Sequence, residues 1–388
     1  MTSSTRAGRA DIGTVADLHA SATKITGLDD FGGEDYLAGL QVLLSSYAQD
    51  EKLTPWGNKV HRAALRDALV ARLLSEAAWQ QYPQHADLSI TRPVFVTGLP
   101  RTGTTALHRL LCEDPAHQGL ELWLTQVPQP RPPRATWADN PLFARMQAGF
   151  EQHHVENPDF MGVHYISADM VEECWQLLRQ SMLSVAYESL AHLPTYSAWL
   201  AEQDWTHAYA RHRRNLQLIG LNEPDKRWVL KNPSHLFAVD ALLEVYPDAL
   251  VVQCHRDPRT IVASSSSLCA HATRDQSEMF LGPVIGRDQL DLWARGARLC
   301  TEARERHDAA HFIDVRYKDF VADPLGVVQR VYDRLETPFT DEARAAMTSV
   351  HEQTRAGGAR PSHTYSLADF GLTEADVDSA FDGYRERY

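Results

Sequence analysis

The stretch Val94-Phe-Val-Thr-Gly98-Leu-Pro-Arg101-Thr102-Gly103-Thr104-Thr105 constrains the fold of this chain more than any other. It joins an apolar run, a loop bounded by two glycines and the polar opening of a helix. Glycine lets such a loop turn back on itself, so that its N–H groups and those of the helix converge at the positive end of the helix dipole. A phosphate fits that point. The string approaches the nucleotide-binding pattern G-x-x-x-x-G-K-[ST], with Thr104 standing where the lysine that reaches a terminal phosphate belongs.

Strand, loop and helix in that order open an α/β unit. Three further short apolar strands are expected at Trp228–Leu230, Ala249–Cys254 and His311–Arg316, alternating with helical periodicity. The fold class is therefore α/β, a P-loop-type parallel sheet flanked by helices on both faces. Residues 1–90 read as an N-terminal helical extension, with Leu37, Leu40, Leu43, Leu44 and Tyr47, then Leu65, Leu69, Leu73 and Leu74, at helical spacing. Residues 91–388 form the α/β domain, carrying a helical insert over about 143–221. The insert is rich in aromatics, among them Trp175, Tyr187, Tyr196, Trp199, Trp205 and Tyr209, which suit either a substrate-side cap or plain core. The Pro-rich passage Val127–Pro133 is expected to be an extended surface connector.

Charge and cysteine content exclude several function classes. A formal net charge of −13 argues against a nucleic acid partner or an anionic membrane surface. Five widely spaced cysteines without a C-x-x-C pair suggest neither a disulfide framework nor a zinc site, and no metal is expected. A reducing cytoplasm fits that usage. No run suits a signal peptide or a bilayer span, so the expectation is a soluble protein without integral membrane association.

Two expected strands end in the same order of residue types: a cation, a capping residue, then proline. Lys231-Asn232-Pro233 and Arg256-Asp257-Pro258 both follow it. Asn or Asp caps a helix and proline suits its first position, so each cation sits at the carboxyl edge of the sheet, where α/β folds bind ligands. Seven residues beyond Asp257, about two helical turns, Ser264 opens a run of four serines. It faces the side of the helix start and shares an anion with Arg256, although the run leaves the choice among its members open.

On these residues the chain resembles the sulfotransferases that use 3′-phosphoadenosine 5′-phosphosulfate (PAPS), in the bacterial branch carrying a G-x-P-R-[ST]-G-T-T loop. Around the loop it is similar to tyrosylprotein sulfotransferases. The resemblance implies that Arg101, Thr102, Gly103, Thr104 and Thr105 hold the 5′-phosphosulfate. It assigns the 3′-phosphate to Arg256 and Ser264, eight positions apart, which selects Ser264 from its run. Tyr317, in Arg316-Tyr-Lys-Asp-Phe-Val-Ala-Asp-Pro324, falls at a cofactor-contacting position, and Arg360 in the C-terminal segment is a further phosphate partner. Where cytosolic animal sulfotransferases have lysine in the loop, a following aromatic and a catalytic K-x-H, this chain has Arg101, Ala106 and a lysine whose histidine, His235, is misspaced.

The implied reaction is in-line transfer of a sulfuryl group from PAPS to a hydroxyl of a small-molecule or lipid acceptor, releasing 3′-phosphoadenosine 5′-phosphate. Arg101 and Lys231 are expected to stabilise the leaving phosphate. Glu121, twenty residues after Arg101, is the expected base by its similarity to the tyrosylprotein enzymes; Glu172, Glu173, His235 and His164 compete with it. Phe160, Met161, Tyr165, Met170 and Trp175 in the insert favour an apolar alcohol, phenol or lipid acceptor over a polyanionic glycan. Two other readings of the loop stand beside this one: a kinase-like phosphotransferase, which needs a loop lysine and magnesium, and a nucleotide-binding protein without chemistry.

Overall fold

The computed structural model describes residues 8–156, 166–356 and 365–388. Five parallel strands form one sheet: β1 (Val94–Gly98), β2 (His117–Gln118), β3 (Arg227–Lys231), β4 (Leu250–His255) and β5 (Phe312–Arg316), in the spatial order β2-β3-β1-β4-β5. Every residue of β1 and β4 is buried, as a strand covered on both faces requires, and this is why each opens on an apolar run, Val94–Val96 and Leu250–Val252. The three later strands lie within one residue of their expected positions. β2 escapes sequence reading because two residues carry no periodicity.

Register decides what the sheet presents. Val96 of β1 pairs with Lys231 of β3, and Gly98 pairs with Cys254 of β4. The carboxyl end of the central strand is therefore flanked by Lys231 on one side and by Arg256 on the other.

The N-terminal helices Val15–Thr26, Leu37–Gln49 and Pro55–Gln81 begin where local chemistry permits. Thr14 and Asp17 form a capping box on the first, and Thr54 caps the third ahead of Pro55. Their apolar faces merge with the sheet: Leu40, Leu43, Leu65 and Leu69 share one buried cluster with Phe95, Leu230 and Val251. Of the insert's aromatics, Tyr187, Tyr196, Trp205 and Tyr209 are buried in that cluster, so they belong to the core. The Pro-rich passage departs from the expected surface connector, because Arg131 in its middle is buried at 5% exposure. None of the described helices is long and apolar enough to cross a membrane.

Several histidines lie in this core. Burial pushes the imidazoles of His61, His108 and His212 down to about 4, about 3 and about 3, and that of His235 well below its ordinary range. Because the folded values are depressed, the unfolded chain binds more protons below its own value near 6.5. Stability is then complete above that pH and falls as the medium is acidified toward 4. We expect thermal midpoints to drop steeply from pH 6.5 to 4; a flat profile over that window contradicts neutral buried imidazoles.

Candidate active site

The loop after β1 is built by backbone conformations that its residues select. Gly98 has φ of +140°, and a Cβ there stands 2.4 Å from the Cys254 carbonyl oxygen, so no other residue lets β1 approach β4 this closely. Gly103 (φ +90°) caps the Thr104–Leu111 helix with no side-chain hydrogen bond, leaving the first N–H groups of the helix to the crevice. Between them Arg101 takes φ of +67°, a left-handed conformation that costs a non-glycine residue about 1–3 kcal/mol. Two contacts hold it there. Its Nε donates to Ser264 Oγ at 3.1 Å, and its carbonyl accepts from an Arg256 guanidinium nitrogen at 2.9 Å.

Arg256 in turn lies over the Tyr317 ring, 4.3 Å from its centroid, and that ring packs beside Gly103. Arg101, Ser264, Arg256 and Tyr317 thus form one continuous contact set drawn from three segments: the loop after β1, the end of β4 with the helix that follows it, and the end of β5. Thr102 is buried and serves the loop itself, donating to the Leu99 carbonyl at 2.7 Å. Thr104 is buried at the helix start. Arg360 and His164 lie outside the described residues.

On the other flank Lys231 is 3% exposed, and its Nζ donates to Thr105 Oγ1 at 3.1 Å and to the Glu173 carboxylate. The Cys174 N–H donates to the Lys231 carbonyl at 3.0 Å, which fixes the Glu173 backbone against the end of β3. Glu172, beside it, is pushed above the ordinary carboxylate range by burial and by the Glu173 charge, with Lys231 opposing. Both carboxylates line an apolar cavity of about 430 Å³ walled by Leu122, Phe150, Trp175, Leu268 and Trp293. Of the aromatic and apolar residues expected at the acceptor side, Trp175 lines this cavity, Met170 does not, and Phe160, Met161 and Tyr165 lie outside the described residues.

The residue expected as the base stands apart from this cavity. Glu121 does not line the cavity: its Oε2 accepts from Arg131 Nε at 3.1 Å and from Arg131 Nη2 at 3.0 Å, in a buried pair. The rest of that guanidinium donates to Gln118, to the Gly119 carbonyl and to Glu223. Burial raises the Glu121 carboxyl and Arg131 opposes the rise, the balance of a structural pair. Arg131→Ala is accordingly expected to destabilise the fold by about 3–5 kcal/mol, because it strands a buried carboxylate. An unchanged urea midpoint for that variant refutes the structural role. His235 likewise does not line the cavity. It is fully buried, bonded through Nδ1 to the Tyr209 hydroxyl at 2.6 Å and packed edge-on against Phe95.

A glycine loop opening at a helix start, with cations at the ends of both neighbouring strands and an apolar chamber beside one of them, defines a group-transfer site of the sulfotransferase type. The comparisons agree. Residues 93–341 match the model of the sulfotransferase family, and the chain belongs to that family. The crystal structure of sulfotransferase STF1 from Mycobacterium tuberculosis H37Rv is 57% identical with a TM-score of 0.91, covering 97% of this chain and 100% of that one. Sulfotransferase STF9 from Mycobacterium avium is 26% identical with a TM-score of 0.87, covering 100% and 98%. Among curated relatives, the omega-hydroxy-beta-dihydromenaquinone-9 sulfotransferase Stf3 of Mycobacterium tuberculosis and Mycobacterium bovis is 29% identical over 255 residues, 63% of this chain. That match spans 62% of the length of Stf3.

Proposed function

We propose that this protein transfers the sulfuryl group of PAPS to a hydroxyl of an apolar small-molecule or lipid acceptor. One observation carries the reading: Lys231 Nζ touches Thr105 at the start of the loop helix and Glu173 in the wall of the apolar cavity. Nucleotide crevice and acceptor chamber therefore meet at one ammonium. The residues present suit the donor, since the open N–H groups at Gly103 and the Arg256 guanidinium, which has no carboxylate partner among the described residues, are what two phosphate ends require. Stf3, named for a menaquinone acceptor, supports the apolar side of the proposal.

When bound, PAPS supplies a sulfuryl group on a phosphate leaving group. The chain supplies the rest. The apolar walls orient the acceptor and exclude water, and Glu173 removes the acceptor's hydroxyl proton as its oxygen bonds to sulfur. Lys231 and Arg101 stand ready for the negative charge that grows on the phosphate oxygen as the old sulfur–oxygen bond breaks. Lys231 keeps its own proton throughout, so its ammonium passes from neutralising Glu173 to neutralising the leaving group.

The test is transfer of radiolabelled sulfate from PAPS to a panel of long-chain alcohols, phenols and polyanionic glycans. Turnover confined to the apolar hydroxyls is the expected result. Tight nucleotide binding without transfer to any acceptor points instead to a protein that kept the cradle and lost the chemistry.

A further inference from the structure

Most polar side chains in the wall of the apolar chamber are already satisfied within the protein. Gln289 donates from Nε2 to the Ser189 carbonyl at 3.1 Å and accepts at Oε1 from the Trp293 indole at 3.0 Å. The Ser189 and Ser265 hydroxyls each donate to a carbonyl three residues back, those of Ala186 and Val262. Gln126 is half-buried, so water serves it.

Gln176 is different. It lines the chamber at 6% exposure, and its Oε1 has no hydrogen-bond partner. A buried amide oxygen is destabilising until a donor reaches it, so one kept in an apolar wall calls for an occupant that brings a donor. Asn232, also in the wall, accepts at Oδ1 from the Ser234 N–H at 3.2 Å and leaves Nδ2 without a partner. Any alcohol meets that Nδ2 donor with its oxygen. Only one with a further O–H meets Gln176.

The backbone sets where that further group belongs. The Gln176 N–H donates to the Glu173 carbonyl at 3.4 Å where the helix Trp175–Leu178 begins, and the Cys174 N–H ties the same turn to Lys231. Residues three apart on such a turn share a face, with Cβ atoms about 5–6 Å apart. Glu173 and Gln176 accordingly line the chamber together, the first paired with Lys231 and the second one turn further along.

We infer that Gln176 is a specificity-determining residue, which selects an apolar acceptor carrying a second, neutral hydroxyl about one helical turn from the hydroxyl that takes the sulfuryl group. The inference rests on the transfer reading above and narrows its acceptor class. The reacting hydroxyl gives its proton to Glu173, so it does not serve Gln176 as well. The second group is neutral because the Glu173 carboxylate disfavours an anion, while Lys231 already occupies that carboxylate against a cation.

The test compares kcat/KM of the full chain, with PAPS as donor, for decan-1-ol, decane-1,4-diol, 4-methoxydecan-1-ol and 4-aminodecan-1-ol. The parent should prefer the diol to decan-1-ol by about ten- to hundredfold, and the methyl ether, with no proton to donate, should rank with decan-1-ol. Gln176→Met, close in length and volume, should reduce the preference for the diol to about twofold or less. A parent that does not separate the diol from decan-1-ol or from the ether overturns the inference without any variant. A parent that favours the amine over the diol assigns recognition to the carboxylates and overturns it too, as does a Gln176→Met enzyme that keeps the preference. If Gln176→Met does not fold, the comparison in the parent decides. If the parent sulfates no hydroxyl compound, the transfer reading fails and this inference falls with it.

Discussion

Glu173→Gln is expected to lower turnover by about 10²–10⁴-fold, the usual range for loss of a general base, with nucleotide affinity unchanged within about twofold. The substitution keeps the size of the side chain and an oxygen for Lys231, so the contact between Lys231 and residue 173 survives while the proton acceptor is gone. The paired measurement is Glu121→Gln, which should leave kcat near that of the parent and appear instead as a lower unfolding midpoint through Arg131. Reversal of that pattern, with Glu121→Gln inactive and Glu173→Gln active, returns the base to Glu121. Equal loss in both variants with unchanged stability shows that neither placement separates chemistry from structure.

The second large effect falls on Lys231. Lys231→Met preserves length and apolar packing at the end of β3 and removes the cation that touches both Thr105 and Glu173. A preorganised donor aimed at developing charge is worth about 10²–10³ in kcat. The acceptor KM should change little, because the apolar cavity walls are untouched. Stopped-flow or single-turnover transfer reads the chemical step directly. A Lys231→Met enzyme with near-normal single-turnover rate removes Lys231 from the mechanism and leaves charge stabilisation to Arg101.

Much of the nucleotide side was legible because its signals are local. Gly98, Arg101 and Gly103 build their loop within a few residues, and the order of cation, cap and proline places Lys231 and Arg256 at strand ends without knowledge of the sheet. The spacing from Arg256 to Ser264 is likewise a property of one strand end and the helix that follows it, and the structure brings Ser264 to Arg101 as well. The acceptor side was not legible in this way. Glu121 sits at a plausible distance from the loop, but its partner Arg131 comes from a proline-rich passage that reads as surface, and nothing in that passage announces a buried guanidinium. Leu268 and Trp293 line the cavity from helices whose periodicity says only that one face is apolar.

The same division separates what the amino-acid order determined from what the folded chain decided. Strand, glycine loop and capped helix follow from backbone conformation and short-range hydrogen bonding, so they are written in consecutive residues. Which cation Glu121 and Glu173 each meet depends on which distant segments the sheet register and core packing press together. A carboxylate's role is set by the charge it meets, and that neighbour is 58 residues away for Glu173 and 10 for Glu121.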